Sequence, residues 1–424
     1  MKKQTSSIKW VIWALAALFY FYEYILRISP TVMVSDLMQS FGVTASMIGV
    51  ITAFFLYAYA PMQLFVGVLM DRYGLKLLIT VSCITSGLGA LLFGLANTVW
   101  FLKVGRLFIG FGAAFAFIGL AYICTHWFSQ KRGALLLGIG NSIAMLGAVC
   151  GTAPLAILIN TTGWRQAMIG LGIAGFVFAF IMFLLVNKAE TPEDEVKSKL
   201  SFKHLLKDLK LLVKNRHTWI NGMVAVLFYA TTTAFGGLWG VPFLEASFNL
   251  TTTEASSCIS MIFIGWLVGG PCVGYISDKL KKRKPIISCG IFFTFLSVLS
   301  IIYFENLSLS MIYILIFLIG FFSAAELLNF TLSVEINPKK VKGSAIALTN
   351  SLVAFGGSLF QPVAGFLLDH HWDGKIVDGI RIYSAGDYRS ALTILPICLF
   401  LALILSFVVK EKRHDETTLT KPLS

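Results

Sequence analysis

Charge is scarce in this chain. Only 13% of its 424 residues are Asp, Glu, Lys or Arg, about half the share of a soluble globular domain. No stretch of 80 residues is polar enough to fold in water, which excludes a soluble domain on a membrane anchor. Paired cysteine spacing is also missing. Cys83, Cys124, Cys150, Cys258, Cys272, Cys289 and Cys398 are scattered through or beside apolar runs, so they read as reduced packing residues, with no disulfide framework. There is no phosphate-binding Gly-rich loop, no H-E-x-x-H and no nucleophile elbow. Enzyme chemistry is therefore not expected, nor a cofactor. His370 and His371 stand near aspartates in the stretch Asp369–Arg389, but no second cluster supports a metal site.

What the chain has instead is apolar length: 57% of it is hydrophobic, with a mean hydropathy of +0.80. Twelve spans are predicted, at about 10–34, 46–70, 77–96, 100–122, 134–158, 166–186, 218–242, 254–276, 285–304, 309–334, 343–367 and 390–409, each long enough to cross a bilayer. The opening "MKKQTSSIKW" has the positive flank of a signal peptide. Its apolar run is too long and no cleavage-type site follows, so it reads as the first span. With the N-terminus inside, all Lys and Arg but Arg27, Lys103, Arg106, Arg165, Lys375, Arg381 and Arg389 fall on the cytoplasmic side. That asymmetry is the positive-inside rule. The net charge of +13 thus reflects topology and predicts no nucleic-acid partner; the lipid bilayer is the expected one.

The few charges inside spans are the candidate functional groups. "FYFYEYILRISP" (Phe19–Pro30) places Glu23 and Arg27 four residues apart on one helix face, the better order for an ion pair, with Tyr20 and Tyr24 on or beside it. Each such charge costs about 2.5–3.5 kcal/mol at a helix centre. The pair either holds the first helix in place or faces a wet cavity and meets a solute. Glu326, with Asn329 one turn on, makes a polar strip in the tenth span, again either paired or facing water. Arg106 either binds an anion or packs helices. Asn141, Asn350 and Gln361 are interhelical hydrogen-bond formers or substrate contacts. "GGLWGVPFL" (Gly236–Leu244) breaks the seventh span and suits a hinge; Trp239 within it fits the aromatic belt.

Two features divide the chain. The polar stretch Asn187–Trp219 contains the amphipathic "FKHLLKDLKLLVK", expected as a surface helix. The segment "VGVLMDRYGLK" (Val66–Lys76) recurs as "VGYISDKLKKR" (Val273–Arg283), 207 residues later. Two six-helix halves, 1–187 and 218–424, joined by a linker 188–217, are the simplest account.

These motifs resemble the major facilitator superfamily, over nearly the whole chain. Its loop motif, G-x-x-x-D-[RK]-x-G-[RK]-[RK], is matched at Gly67, Asp71, Arg72, Gly74 and Lys76, and again at Gly274, Asp278 and Lys279, with Lys281 in place of the second glycine. "GRLFIGFGAA" adds Arg106, Gly110 and Gly112. The antiporter-type glycine–proline motif is poorly matched by Gly147, Gly151 and Pro154. The resemblance implies an all-α membrane fold of two pseudo-symmetric six-helix bundles. It also implies a cytoplasmic gate at the loop motifs, where Asp71 meets the N-terminal end of a helix in the other half. The expected activity is secondary transport by alternating access, by a monomer.

"FYEYILRISPTVM", "GLWGVPFL" and "EINPKKVKGSAIALTN" are further similar to amino-acid importers of intracellular bacteria. That similarity implies a bacterial inner membrane and a small-molecule substrate, an amino acid or short peptide. The expected substrate contacts are Tyr20, Glu23, Tyr24, Arg27, Arg106, Glu326, Asn329, Asn350 and Gln361. A proton is the expected coupling ion, carried by Glu23 or Glu326. The alternatives are an organic anion, phosphate ester or siderophore served by Arg27 and Arg106, or a non-transporting sensor on the same fold.

Overall fold

A computed structural model of the chain describes residues 2–186, 202–377, 380–409 and 411. Among them are twelve helices long and apolar enough to cross a membrane. They are α1 (Ile8–Val32), α2 (Ala45–Met70), α3 (Arg72–Gly94), α4 (Val99–Trp127), α5 (Lys131–Thr162), α6 (Trp164–Val186), α7 (Arg216–Phe248), α8 (Thr252–Leu280), α9 (Lys284–Tyr303), α10 (Leu309–Glu335), α11 (Lys342–His371) and α12 (Ala385–Val408). Each follows a predicted span, and several run a turn further because helix continues past the apolar stretch into polar residues. An even number of crossings puts α1's start and α12's end on one face, the terminal face. The first span does not continue to Val34 as expected. Pro30 turns the chain through a 3-10 segment, Ser29–Val32, into a short amphipathic helix, Val34–Phe41.

Small residues set how closely these helices approach, and they do so alike in both halves. A Cβ on Gly110 of α4 would lie 1.9 Å from the Phe55 carbonyl oxygen of α2. In the second half a Cβ on Gly320 of α10 would lie 2.0 Å from the Ile262 carbonyl oxygen of α8. The loop motif shows the same correspondence. Gly74 carries φ +77° at a kink near the start of α3, and Lys281, at the equivalent place after α8, is itself left-handed at φ +51°. The turn is thus kept where the glycine is not, at the steric cost of about 1 kcal/mol or more that an L residue meets there.

The expected surface helix forms at Phe202–Val213. Its Leu212 packs on Val341, Ala345 and Leu348 of the α11 region, and Asp208 accepts from Ser344 Oγ at 3.1 Å. The acidic start of the linker lies outside the described residues.

On the far face, opposite the terminal face, the two halves are bonded together. Asp369, near the end of α11, accepts from the Ser46 backbone N–H of α2 at 2.9 Å, and also from the Ser46 and Tyr383 hydroxyls. Arg381 Nη1 lies 3.4 Å from it, and the Ala45 N–H donates to the Tyr383 oxygen at 3.1 Å. Thr31 Oγ1 of α1 donates to the Leu238 carbonyl of α7 at 3.1 Å, and the hydroxyls of Thr152 (α5) and Ser260 (α8) are bonded. Burial of Tyr383, and its bond to the Asp369 carboxylate, push its phenol well above the usual tyrosine range.

Two outcomes follow. Gly110→Ala should destabilise the protein by about 1–3 kcal/mol, the overpacking cost, lowering the midpoint of thermal unfolding in detergent. Gly170→Ala, which meets nothing within 4 Å, should leave it unchanged. Asp369→Ala should loosen the far face. Spin labels at Thr162 and Asn306, in a background without native cysteines, should report one short distance in the parent protein and added longer distances in the variant.

Candidate functional site

The first helix carries Tyr20, Glu23, Tyr24 and Arg27 into the centre, but Glu23 and Arg27 do not pair with each other. Glu23 is buried, and its Oε1 accepts from Ser86 Oγ of α3. Arg106 of α4 is its electrostatic neighbour. Arg27, half-buried, goes the other way. Its Nη2 donates to the Tyr229 hydroxyl of α7 at 3.2 Å, and its guanidinium carbon stands 5.6, 5.6 and 5.5 Å from the rings of Tyr24, Phe55 and Tyr59. Partners on both sides pull the two side chains apart, and the i, i+4 attraction of a few tenths of a kcal/mol is too small to oppose them.

Arg106 has a structural occupation. Pro30 has no N–H to offer the carbonyl four residues back, that of Leu26. Arg106 Nη1 fills the vacancy at 2.7 Å, alongside Ser29 Oγ at 3.0 Å, and its Nη2 reaches the Arg27 carbonyl at 3.3 Å. A guanidinium at the carbonyl end of a helix is also favoured by the macrodipole. Of the two alternatives for Arg106 the packing one is seen, since it ties α4 to α1; its buried Nε has no hydrogen-bond partner, and the side chain lines only a small void beneath the central cavity. Its guanidinium carbon is 4.9 Å from the Phe55 ring, the ring that Arg27 also covers.

The central space is a cavity of about 570 Å³ between the halves, with a void of about 30 Å³ beneath it. Tyr24, Arg27 and Tyr229 line both, and Arg106, Thr52, Thr233 and Gln361 line only the void. The larger cavity takes its walls from the terminal-face side of the bundle. Ile346, for example, lies four residues into α11, about 6 Å at helical rise. Cavity on the terminal side and bonded contacts on the far side make this an open-to-one-face conformation.

The second half supplies the other wall. Glu326 lines the cavity, buried, with Oε1 lacking any hydrogen-bond partner. Asn329 does not line it. Fully buried behind Glu326, it donates to the Glu326 carbonyl at 3.1 Å, and its own carbonyl accepts from Asn221 at 2.9 Å; it braces the 3-10 turn Ala324–Glu326 in α10. Asn350 lines the cavity and donates to Gln63 of α2 at 2.8 Å, tying the halves. Gln361 Nε2 donates to the Thr233 carbonyl at 3.0 Å inside a π-helical stretch, Thr231–Trp239. The π segment takes in the first four residues of "GGLWGVPFL", Gly236–Trp239. Trp239 is not in an aromatic belt: it is fully buried and donates to the Gln361 carbonyl at 3.0 Å. Asn141 and Tyr20 also face the large cavity.

Sequence reasoning passed over Tyr59, Tyr229, Trp266 and Ser86, since aromatic and small polar residues in apolar runs read as packing. The only signal for Tyr229 is the run of threonines behind it.

The loop-motif residues lie at the terminal face, away from the cavity. The side chain of Asp71 lies outside the described residues. Arg72 covers the Tyr73 ring and Lys76 the Phe183 ring. In the second copy Asp278 pairs within its own loop, with Arg283 at 2.9 Å, and Arg283 also reaches Glu335 at 3.2 Å. Among the described residues no bond joins Gly67, Gly74, Gly274 or Lys279 to the other half.

The two central arginines should respond differently to truncation. Arg106→Ala removes a buried guanidinium that bonds the Leu26 and Arg27 carbonyls, a loss of about 3 kcal/mol. Arg27→Ala removes one bond to a phenol and should cost about 1 kcal/mol. Unfolding midpoints of the purified proteins without ligand check the order.

Comparisons with known proteins agree with this architecture. The family model of the Major Facilitator Superfamily matches residues 12–360 and, separately, 222–423. A probable hexose phosphate transport protein of Chlamydia muridarum is 24% identical, over 84% of this chain and 85% of that protein. The membrane sensor protein UhpC of Escherichia coli is 25% identical, over 91% and 90%. The probable sulfoacetate transporter SauU of Cupriavidus necator is 25% identical, over 66% and 67%. Among solved structures, a bacterial homolog of the human lysosomal transporter Spinster, in an inward-facing and unoccupied conformation, superposes with a TM-score of 0.78 at 16% identity, covering 95% of this chain and 97% of that one. With twelve spanning helices and a family match over nearly its whole length, the chain belongs to the Major Facilitator Superfamily of membrane transporters.

Proposed function

We propose that the chain is a secondary transporter of organic anions, of the phosphate-ester or sulfonate type, that works by alternating access. One observation carries this reading. Arg27 lines the central cavity with a guanidinium whose hydrogen-bond partner is a phenol, and among the described residues no carboxylate oxygen lies within 4.0 Å of Arg27 or Arg106. Two positive groups sharing one aromatic ring, one still accessible, favour an anion, and guanidinium bonds to phosphate or sulfonate are charge-assisted and directional. The names of two relatives, a hexose phosphate and a sulfoacetate transport protein, point to the same chemistry. They give no support to the expected amino acid or peptide. Of the two carboxylates expected to contact such a substrate, Glu23 is turned to Ser86 and does not line the cavity, and Glu326 does.

Glu23 fits a coupling role better. The carboxylate and an arriving anion compete for the Arg106 charge, so proton uptake at Glu23 accompanies anion binding, and proton and substrate move together. The Lys and Arg asymmetry supports cytoplasmic termini, and the bacterial relatives a bacterial inner membrane. In that orientation the cavity faces the cytoplasm and the Asp369 cluster closes the outside. The superfamily resemblance supports a working monomer.

A thermal-shift series tests the reading, because a ligand that binds only the folded state raises its apparent stability. Phosphate esters or sulfonates should raise the unfolding midpoint of the parent protein but not of Arg27→Ala; zwitterionic amino acids should leave both unchanged. In proteoliposomes, uptake should rise as external pH falls, and Glu23→Gln should abolish that dependence while exchange of anion persists. Stabilisation by amino acids alone would overturn the anion assignment. Binding without flux would favour the sensor reading raised by the likeness to UhpC.

A further inference from the structure

The cavity has a second pole that anion binding does not use. Glu326 of α10 lines the same cavity as Arg27, from the other half. Its Oε1 is buried without a hydrogen-bond partner, and its residue is only 2% exposed. Two other polar groups of the cavity wall are engaged, Asn350 with Gln63 and Arg27 with Tyr229. A buried carboxyl oxygen without a donor is costly, and because Glu326 lines the cavity its carboxyl can turn to a donor that arrives there. Tyr229 bridges the two poles. It accepts from Arg27, keeps its own hydroxyl proton free to donate, and lies within electrostatic reach of both Arg27 and Glu326. Around Glu326 the wall is apolar and aromatic, with Trp266, Leu327 and Phe330.

We infer that Glu326 is a specificity-determining residue: it accepts hydrogen bonds from hydroxyl groups at the non-anionic end of the substrate. The transported molecule is then an anion with a hydroxylated tail, its charged head at Arg27. This rests on the anion reading above. The same carboxylate works against competitors. A dicarboxylate or a bisphosphate of similar length would bring a second negative charge against it, and a head group without a tail would leave it unsatisfied. Attraction for one class and a penalty for the other is how a polar pocket discriminates.

The experiment compares three probes by calorimetry on purified protein: a hexose phosphate, methyl phosphate, which has the same head and no hydroxyl, and a dicarboxylate. The parent protein should bind the hexose phosphate at least about tenfold more tightly than methyl phosphate, the worth of one hydrogen bond to a charged group, and the dicarboxylate weakest. Glu326→Leu should bring the hexose phosphate down to the level of methyl phosphate, leave methyl phosphate unchanged, and admit the dicarboxylate. Glu326→Gln, which keeps one acceptor and nearly the parent shape, should fall between, and it carries the test if the Leu variant does not fold. Equal weakening of both phosphates would mean a general or proton-binding role, and no change in either would mean a spectator; each overturns the inference while leaving the anion reading intact. If the parent protein binds none of the three, both fall; where it binds the phosphates, Arg27→Ala should lose them both, which tests the anion reading separately from Glu326.

Discussion

The centre of this protein depends on one guanidinium meeting the carbonyl end of a broken helix. Pro30 stops the α-helical part of α1 inside the bundle and leaves the Leu26 carbonyl without its usual donor. In a low-dielectric interior such a group must be satisfied or it costs several kcal/mol. Arg106 reaches it from α4, and the same charge offsets buried Glu23, itself bonded to Ser86 of α3. Three helices of one half are thereby joined through polar groups that would be untenable singly. With those groups committed to one another, Arg27 is left facing the cavity.

The two halves are held apart at one face and together at the other. On the far side the contacts are direct and polar, around Asp369 and Ser46. On the terminal side, helix walls diverge around the cavity, where α2 is bonded to α11 through Asn350 with Gln63 and Ser351 with Ala60, and α1 to α7 through Arg27 with Tyr229. Within each half the packing is rigid, because Gly110 and Gly320 let backbones touch. Rigid halves and an interface of few hydrogen bonds are what rocking requires: the interface can be exchanged without repacking a core.

Much of this is legible in one dimension for plain reasons. Helix in a bilayer must satisfy its own backbone, so apolar length alone marks twelve spans. Charges are rare there, so Glu23, Arg27, Arg106 and Glu326 stand out at once. The repeat at 207 residues foretells two matching halves, and Lys281 shows that a backbone conformation can persist after its glycine has gone. Pairing was the weak point. Four-residue spacing placed Glu23 and Arg27 on one face, yet side chains of that length choose partners within several ångströms, and Ser86, Tyr229 and the aromatic rings come from distant segments. Asn329 and Trp239 were misjudged for the same reason, since a polar or aromatic side chain on a helix can point to cavity, lipid or neighbour with equal local propensity.

By itself, then, the sequence determined the membrane class, the number of crossings, the twofold plan and which residues carry charge into the bundle, because all of these follow from transfer free energies and periodicity along a single chain. Tertiary structure alone decided which of those charges is buried in the scaffold and which faces the cavity, and which end of the bundle is closed. Those outcomes depend on which helices meet and at what depth, and that is a property of the packed bundle.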